Sequence, residues 1–367
     1  MRKLSVNSIK NIAIGAALLG AGGGGNPYIG ELMAVSATRK YGEVTLLNVD
    51  EVESEALVVP ASMMGAPSVQ LEKFPNGQEF YKAFDLLEKR LNKKIAATFP
   101  IEAGGVNSMI PIMVAAKTGL PLVDVDSMGR ALPELQMSTF TLYGHTATPM
   151  AIVDEKGNGA LLETIDNVWT EKIARSIAVD MGATATVASY PLTGKDLLES
   201  GVKGVITLCE KIGEIITNVN SYSTVAQALV ALLDLTNGFC FMEAKIVDIK
   251  HTTKDGFNFG KVELEGLGNS RNKNGEVEFQ NENIIFKLNG EVAITAPDII
   301  TFLDIESLNP ITNEELKYGK RIYVLGVPCS DKWRTPAGIK LVGPRYFHYD
   351  VDYQPVEDLF KKVKELN

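Results

Sequence analysis

The stretch Gly20-Ala21-Gly22-Gly23-Gly24-Gly25-Asn26-Pro27-Tyr28-Ile29-Gly30 constrains this chain more than any other segment. Glycine loses more backbone freedom on folding than any other residue. A run like this persists where backbone must approach something closely or take a positive φ. Asn26 suits a helix N-cap, Pro27 suits the first helical position, and Glu31–Lys40 continues as helix. A glycine loop feeding a helix start presents free N–H groups at the positive end of a dipole, which is an anion site. Gly22, Gly23, Gly24, Gly25 and Asn26 are therefore candidate anion-binding residues.

Residues 20–25 also match G-x-G-x-x-G, the turn of dinucleotide-binding proteins, but that motif carries weight only after a β-strand. Upstream, Ile9, Ile12, Ala13, Ala16 and Leu19 recur at helical spacing, with Asn7 and Ser8 as capping residues. The expected order is helix, glycine loop, helix, with a nucleotide-dependent oxidoreductase as a rival. A tight corner without ligand is the third reading, although four consecutive glycines exceed what a corner needs.

A chain of 367 residues can hold two domains with sizeable cores. Its net charge of −9 and lack of a basic cluster argue against nucleic acid as a partner. Cys209, Cys240 and Cys329 are scattered, which suits reduced thiols in a cytoplasm. Arg2, Lys3 and Lys10 before Ile12–Ala21 superficially fit a signal peptide, but Asn7, Ser8 and Asn11 interrupt it. No apolar run is long enough to span a membrane. The expectation is a soluble cytoplasmic protein.

The first half alternates strand and helix. Val44–Val49, Leu57–Pro60, Lys94–Ile101 and Leu122–Val125 read as strands, and Gln78–Leu91 and Ser108–Thr118 as helices. This pattern predicts an α/β N-terminal domain with a largely parallel sheet over residues 1–165. Ala151–Val153 and Ala160–Thr164 read as a hairpin. Residues 166–240 read as a helical connecting region, with Thr184–Tyr190 strand-like. Residues 241–345 hold short strands separated by Asp255-Gly256, Asn274-Gly275 and Asn289-Gly290, which predicts an antiparallel β domain, barrel or sandwich. Residues 346–367 form a tail that can return to the first domain.

A second glycine loop, Glu102-Ala103-Gly104-Gly105-Val106-Asn107-Ser108, follows a strand and opens a helix. It places Glu102 at a strand's carboxyl end, where α/β sheets bind ligands, with Asn107 or Ser108 as cap. Asp124-Val125-Asp126 then puts two carboxylates on one side of a strand at period two. Such a pair repels, so it takes up a proton, binds a divalent cation or pairs with Arg130. Glu134 is a further acid. Asp350 and Asp352 form a similar pair after His348. His145 and His251 lack metal-motif partners. Met63, Met64, Met109 and Met113 read as core.

Gly20–Gly30, Glu102–Ser108, Asp124–Glu134, Pro297–Ile300, Trp333-Arg334-Thr335 and Val342-Gly343-Pro344-Arg345 occur in an order that resembles the S-methyl thiohydantoin desulfurase-like proteins, across essentially the whole chain. These are found beside or fused to hydantoinase/oxoprolinase subunits. Asn26, Ser127 and His348 depart from the pattern, where Asp, a small residue such as glycine, and glycine are expected. The resemblance implies an N-terminal α/β domain, a C-terminal β-rich domain, and a role in breaking down cyclic ureides or thiohydantoins. The leading expectation is a hydrolytic enzyme for a small anionic heterocycle. Gly22–Asn26, Gly104, Gly105, Asn107 and Ser108 would bind the anion. Asp124 and Asp126 would do acid/base work or hold a divalent metal, Glu102 would join them as a catalytic residue, and Arg130 would orient the substrate or keep one carboxylate ionised. Against it stands a non-catalytic partner subunit of a hydantoinase-type complex, recognisable by a large exposed apolar patch. A homo-oligomer is also compatible.

Overall fold

The computed structural model describes residues 1–65, 77–254 and 257–365. The chain opens with the short strand Arg2–Leu4 and the helix Val6–Leu19. Ser5, not Asn7 or Ser8, caps that helix, its Oγ accepting the Ser8 N–H at 3.1 Å. Apolar residues recurring at helical spacing, Ile9, Ile12, Ala13 and Ala16, are buried against the helix Val205–Thr217. A side chain at Gly15 would overlap the Cys209 backbone, and one at Gly213 would overlap Asn11. Glycines on both helices thus allow the close crossing. The glycine loop follows and leads into the helix Pro27–Tyr41, capped by Asn26.

The N-terminal α/β region is built on small mixed sheets. Val44–Leu47 runs between Arg2–Leu4, antiparallel, and Leu122–Val123, parallel. Leu57–Val58 runs between Leu192–Thr193, antiparallel, and Ile95–Ala97, parallel. A four-stranded sheet, in the order Ala61–Gly65, Thr184–Ala188, Met150–Val153, Gly159–Leu162, is antiparallel throughout. The expectation of a largely parallel sheet therefore gives way to mixed sheets. Tight turns such as Asp154–Asn158, where Asp154 Oδ1 accepts the Asn158 N–H at 2.7 Å, can join only antiparallel neighbours.

The C-terminal region is one eight-stranded antiparallel sheet. Its order is Glu291–Thr295, Glu282–Leu288, Asn274–Gln280, Phe257–Gly266, Phe239–Lys254, Arg321–Val327, Ile299–Asp304, Pro310–Ile311. The sheet curls on itself. Asn283 Nδ2 donates to Ile300 O at 2.9 Å, joining strands that are far apart in the order. Asn289-Gly290 is a hairpin turn, both residues at positive φ. Asn274-Gly275 is not a turn but the start of a strand. Gly275 lies opposite Leu264 and Leu288, and a side chain there would press on Met242 Sδ and Phe286 at 3.0 Å. Asp255-Gly256 lies outside the described residues.

The tail divides its contacts. The helix Val356–Glu365 packs on the curled sheet, with the Phe360 ring 4.7 Å from Phe239 and 5.0 Å from Phe241. Tyr346 instead reaches the N-terminal region, donating to Glu134 Oε2 at 2.8 Å. Asp350 and Asp352 bind Arg345 at 2.8 and 2.6 Å on the surface.

The chain changes partners at Asp124. Leu122–Val123 pairs with Val44–Leu47, whereas Val125–Asp126 pairs with Val202–Lys203. Asp124, between them, accepts the Ile206 and Thr207 N–H groups on Oδ1 at 2.8 and 3.1 Å and the Thr207 hydroxyl on Oδ2. It satisfies the open N-terminus of the helix Val205–Thr217, a task local caps usually perform. Asp124→Ala is expected to lower the unfolding free energy by about 1–2 kcal/mol in urea denaturation. Asp124→Asn, which keeps an acceptor, should lose less.

Candidate functional site

The two glycine loops interlock. Gly22, Gly24 and Gly25 have φ of 86°, 74° and 84°, so a side chain is disfavoured at all three. A side chain on Gly24 would overlap Gly104, and one on Gly105 would overlap Gly25. The Val106 N–H donates to Gly24 O at 2.9 Å, fastening one loop to the other. The curled sheet grips the first loop from the far side: Asn283 N–H donates to Ala21 O and Asn313 N–H to Gly22 O, both at 2.8 Å. Gly23 faces Glu282, whose carboxyl occupies the space a side chain would need. Asn26 Oδ1 accepts the Tyr28 N–H at 2.9 Å while its Nδ2 donates to Glu315 at 3.2 Å. The glycines are thus required first by backbone packing.

A cleft opens beside these loops. Gly24, Gly25, Glu102, Asn107, Glu134, Arg175 and Glu282 line it, together with Ser62, Ser189 and apolar Met63, Met64, Met128 and Leu132. The Gly24 and Gly25 N–H groups take no partner among the described residues. Asn107 does not cap its helix. Its Nδ2 donates to Glu102 Oε1 at 2.6 Å and its Oδ1 accepts the Met63 N–H at 3.0 Å. Ser108 Oγ holds the second loop shut, accepting the Gly104 N–H at 3.1 Å.

Glu102 is 6% exposed, and burial pushes its carboxyl up to about 7 against the opposing pull of Asn107, the Leu132 backbone and Arg130. Glu282, 3% exposed, is pushed well above the usual range by burial and by Glu102. Its Oε2 is buried without a hydrogen-bond partner. Asp126 is fully buried and raised for the same reason, with Oδ1 accepting the Met128 and Gly129 N–H groups at 3.1 and 2.8 Å and Oδ2 unpartnered. It sits behind the cleft, not on its wall. Glu134 lines the cleft, raised by burial.

Arg130 is wholly buried and turned away from the cleft. It donates to main-chain oxygens of Ala131, Pro297, Asp298 and Asn283 at 2.9, 2.7, 2.9 and 3.4 Å. It pairs with neither Asp124 nor Asp126, correcting that expectation; Asp124 is bound to a helix terminus and Asp126 to its own turn. The Asp124/Asp126 pair therefore does not converge. No group of three or more His, Cys, Asp or Glu side chains able to hold a metal ion occurs among the described residues. The element before Gly20 is helix, so the dinucleotide turn lacks its strand. His348 is exposed, and Asp350 and Asp352 do not line the cleft. Glu282 and Arg175 are the charged cleft residues that sequence reasoning did not find. One trace of Glu282 was visible: the polar run Gln280–Asn283 interrupts apolar strands without a turn glycine.

Family models for the S-Me-THD-like N-terminal domain and the S-Me-THD-like C-terminal domain match residues 7–164 and 165–356. The chain belongs to the S-Me-THD-like family. A crystal structure of a protein from Chromobacterium violaceum shares the fold, with a TM-score of 0.83 and 23% identity over 97% of this chain and 100% of that one. Curated proteins give no match. No helix among the described residues is long and apolar enough to cross a membrane.

Gly24→Ala tests the packing role of the loop. The substitution forces an L-residue into φ of 74° and against Gly104. The expected outcome is a loss of about 2 kcal/mol or more in unfolding free energy, read by denaturant titration without any ligand. A loop that serves ligand binding alone would leave ligand-free stability unchanged.

Proposed function

We propose that this S-Me-THD-like protein is a hydrolase of thiohydantoin-type rings, with Glu102 and Glu282 as its acid/base pair. The observation that carries the reading is two buried carboxyls lining one cleft, each raised by burial, beside Gly24 and Gly25, whose N–H groups take no partner among the described residues. Two such groups hold one proton more readily than none, which provides a base and an acid together near neutral pH.

Ionised Glu102 takes a proton from water, and the oxygen adds to the ring carbon that bears sulfur. The carbon–sulfur bond then breaks, Glu282 delivers its proton to the departing sulfur, and a thiol leaves. The hydroxyl proton passes to the ring nitrogen, which leaves an N–H beside a carbonyl, and the proton taken by Glu102 returns to Glu282 to reset the pair. Gly24 and Gly25 N–H groups favour the negative charge that builds on the ring heteroatom during addition. Asn107 holds Glu102 in place at 2.6 Å.

Thiol release from an S-methyl thiohydantoin tests this. Glu102→Gln should reduce kcat by ~10²–10⁴ with the fold retained, and the wild-type rate should rise with pH through about 7. Unchanged turnover in Glu102→Gln would remove the proposal.

Stability supplies a separate check. The folded-state value of Glu102 lies above its ordinary 4.5, so the folded state binds more protons between pH 4.5 and about 7. Its contribution to stability falls as pH rises across that window. Glu102→Gln should raise the melting temperature relative to wild type more at pH 8 than at pH 4.5.

A partner-subunit reading draws on one surface. Ile165 is 86% exposed, and Trp169 and Ile173, one turn apart on the helix Asn167–Asp180, are 47% and 38% exposed. That reading requires turnover only after a hydantoinase-type subunit is added, whereas the hydrolase turns over alone.

A further inference from the structure

We infer that Ser62 and Ser189 form a hydroxyl pair on the cleft floor that holds a flat ring by a carbonyl oxygen set away from the reacting carbon. The inference rests on the hydrolase reading above for the ring's identity and adds the residues that recognise it.

The pair follows from strand register. Ser62, on Ala61–Gly65, stands opposite Val187 on the antiparallel strand Thr184–Ala188. Ser189 lies two residues beyond Val187. Side chains alternate along extended backbone, so residues two apart share a face. The cleft bears the same period: Val187 and Ser189 line it, whereas Thr186 and Ala188 do not. Diagonal neighbours on such a face lie roughly 7–8 Å apart, near enough for two hydroxyls to converge on one oxygen about 2.8 Å from each.

Ser62 and Ser189 are buried, at 5% and 2% exposure. Each Oγ nonetheless takes no hydrogen bond among the described residues and is not sealed off, so the surface that remains includes the hydroxyl. Both residues line the cleft, and that surface opens there. Their neighbours on the floor, Met64 and Val187, are apolar. Alanine would fill the same space without a polar group to desolvate. Hydroxyls without a protein partner, in an apolar floor, answer to a ligand.

The chemistry of that ligand follows from the groups around it. Glu102 and Glu134 bring acceptor oxygens to the cleft, and the hydroxyls bring donors. Two donors suit the two lone pairs of one carbonyl oxygen. Asn107 fixes the floor relative to the proposed base: its Oδ1 accepts the Met63 N–H at 3.0 Å and its Nδ2 donates to Glu102 Oε1 at 2.6 Å. Ser62 is the residue before Met63. A ring held by its carbonyl at the serines leaves its sulfur-bearing carbon for the water that Glu102 activates. The held carbonyl is not attacked, so its hydrogen bonds are equal before and during reaction. Such bonds set KM and not kcat.

Titration calorimetry with hydantoin and 2-imidazolidinone tests the inference on wild type, Ser62→Ala and Ser189→Ala. The second ring keeps both N–H groups but lacks the second carbonyl. Wild type should bind hydantoin about tenfold more tightly than 2-imidazolidinone. Each alanine should weaken hydantoin about fivefold or more, the loss expected for one hydrogen bond, and leave 2-imidazolidinone unchanged. With an S-methyl thiohydantoin, each alanine should raise KM by a similar factor and keep kcat within about twofold. Equal affinity of wild type for the two rings overturns the inference without any variant. Unchanged hydantoin affinity in either alanine variant overturns it too, and thiol release by wild type then leaves the hydrolase reading standing. A fall in kcat at unchanged KM, or equal loss of both rings, also overturns it. Serine-dependent hydantoin binding without thiol release by wild type supports the inference and removes the hydrolase reading. Binding of neither ring, with no thiol release, overturns both.

Discussion

Everything at the centre of this molecule depends on how closely two backbone loops approach. Gly24 lies against Gly104 and Gly25 against Gly105, and the Val106 N–H bonds to Gly24 O across the gap. This contact brings Glu102, which precedes the second loop, to the same cleft as Gly24 and Gly25 of the first. It also leaves the first loop thin enough for Glu282 to press in from the other side at Gly23. Substituting either loop would separate groups that come from positions 24, 102 and 282 of the chain.

The second determinant is a set of buried charges that are not ordinary ion pairs. Arg130 offers its guanidinium to carbonyls of residues 283, 297 and 298, tying the α/β region to the curled sheet. Asp298, beneath it, gathers donors from Cys329, Arg334, Tyr353 and Val356. Burying a cation and satisfying it with main-chain oxygens leaves the neighbouring carboxyls only a partial counter-charge. Glu102 and Glu282 are accordingly raised despite Arg130's proximity. Burial outweighs attraction, which is the condition an acid/base pair requires.

The sequence was informative where the physics is local. Asn26 and Pro27 encode a helix start, and Ile9, Ile12, Ala13 and Ala16 encode the helix before the loop, so helix–loop–helix is legible without a structure. Asn289-Gly290 encodes its turn for the same reason. Failures came where tertiary pairing overrides a local pattern. Period two placed Asp124 and Asp126 on one face, but the chain switches strand partners between them and the carboxylates separate. Asn274-Gly275 looks like a turn, yet packing against Met242 and Phe286 needs its missing side chain inside a strand. Glu282 left only the polar run Gln280–Asn283 as a trace, because its meaning depends on a loop some 260 residues away, a separation that the curled sheet closes.

The strand Thr184–Ala188 carries a consequence for how this chain can be divided. It runs between Ala61–Gly65 and Met150–Val153, hydrogen-bonded on both sides and buried at every position. The two family models meet between residues 164 and 165, so this central strand belongs by sequence to the second part and by structure to the first. A gene cut at that junction would yield one fragment with two unprotected strand edges and another with an apolar strand lacking neighbours. The two halves therefore name segments of sequence rather than bodies that fold apart. Recombination, truncation or fusion at that point would exchange pieces of a single interwoven unit.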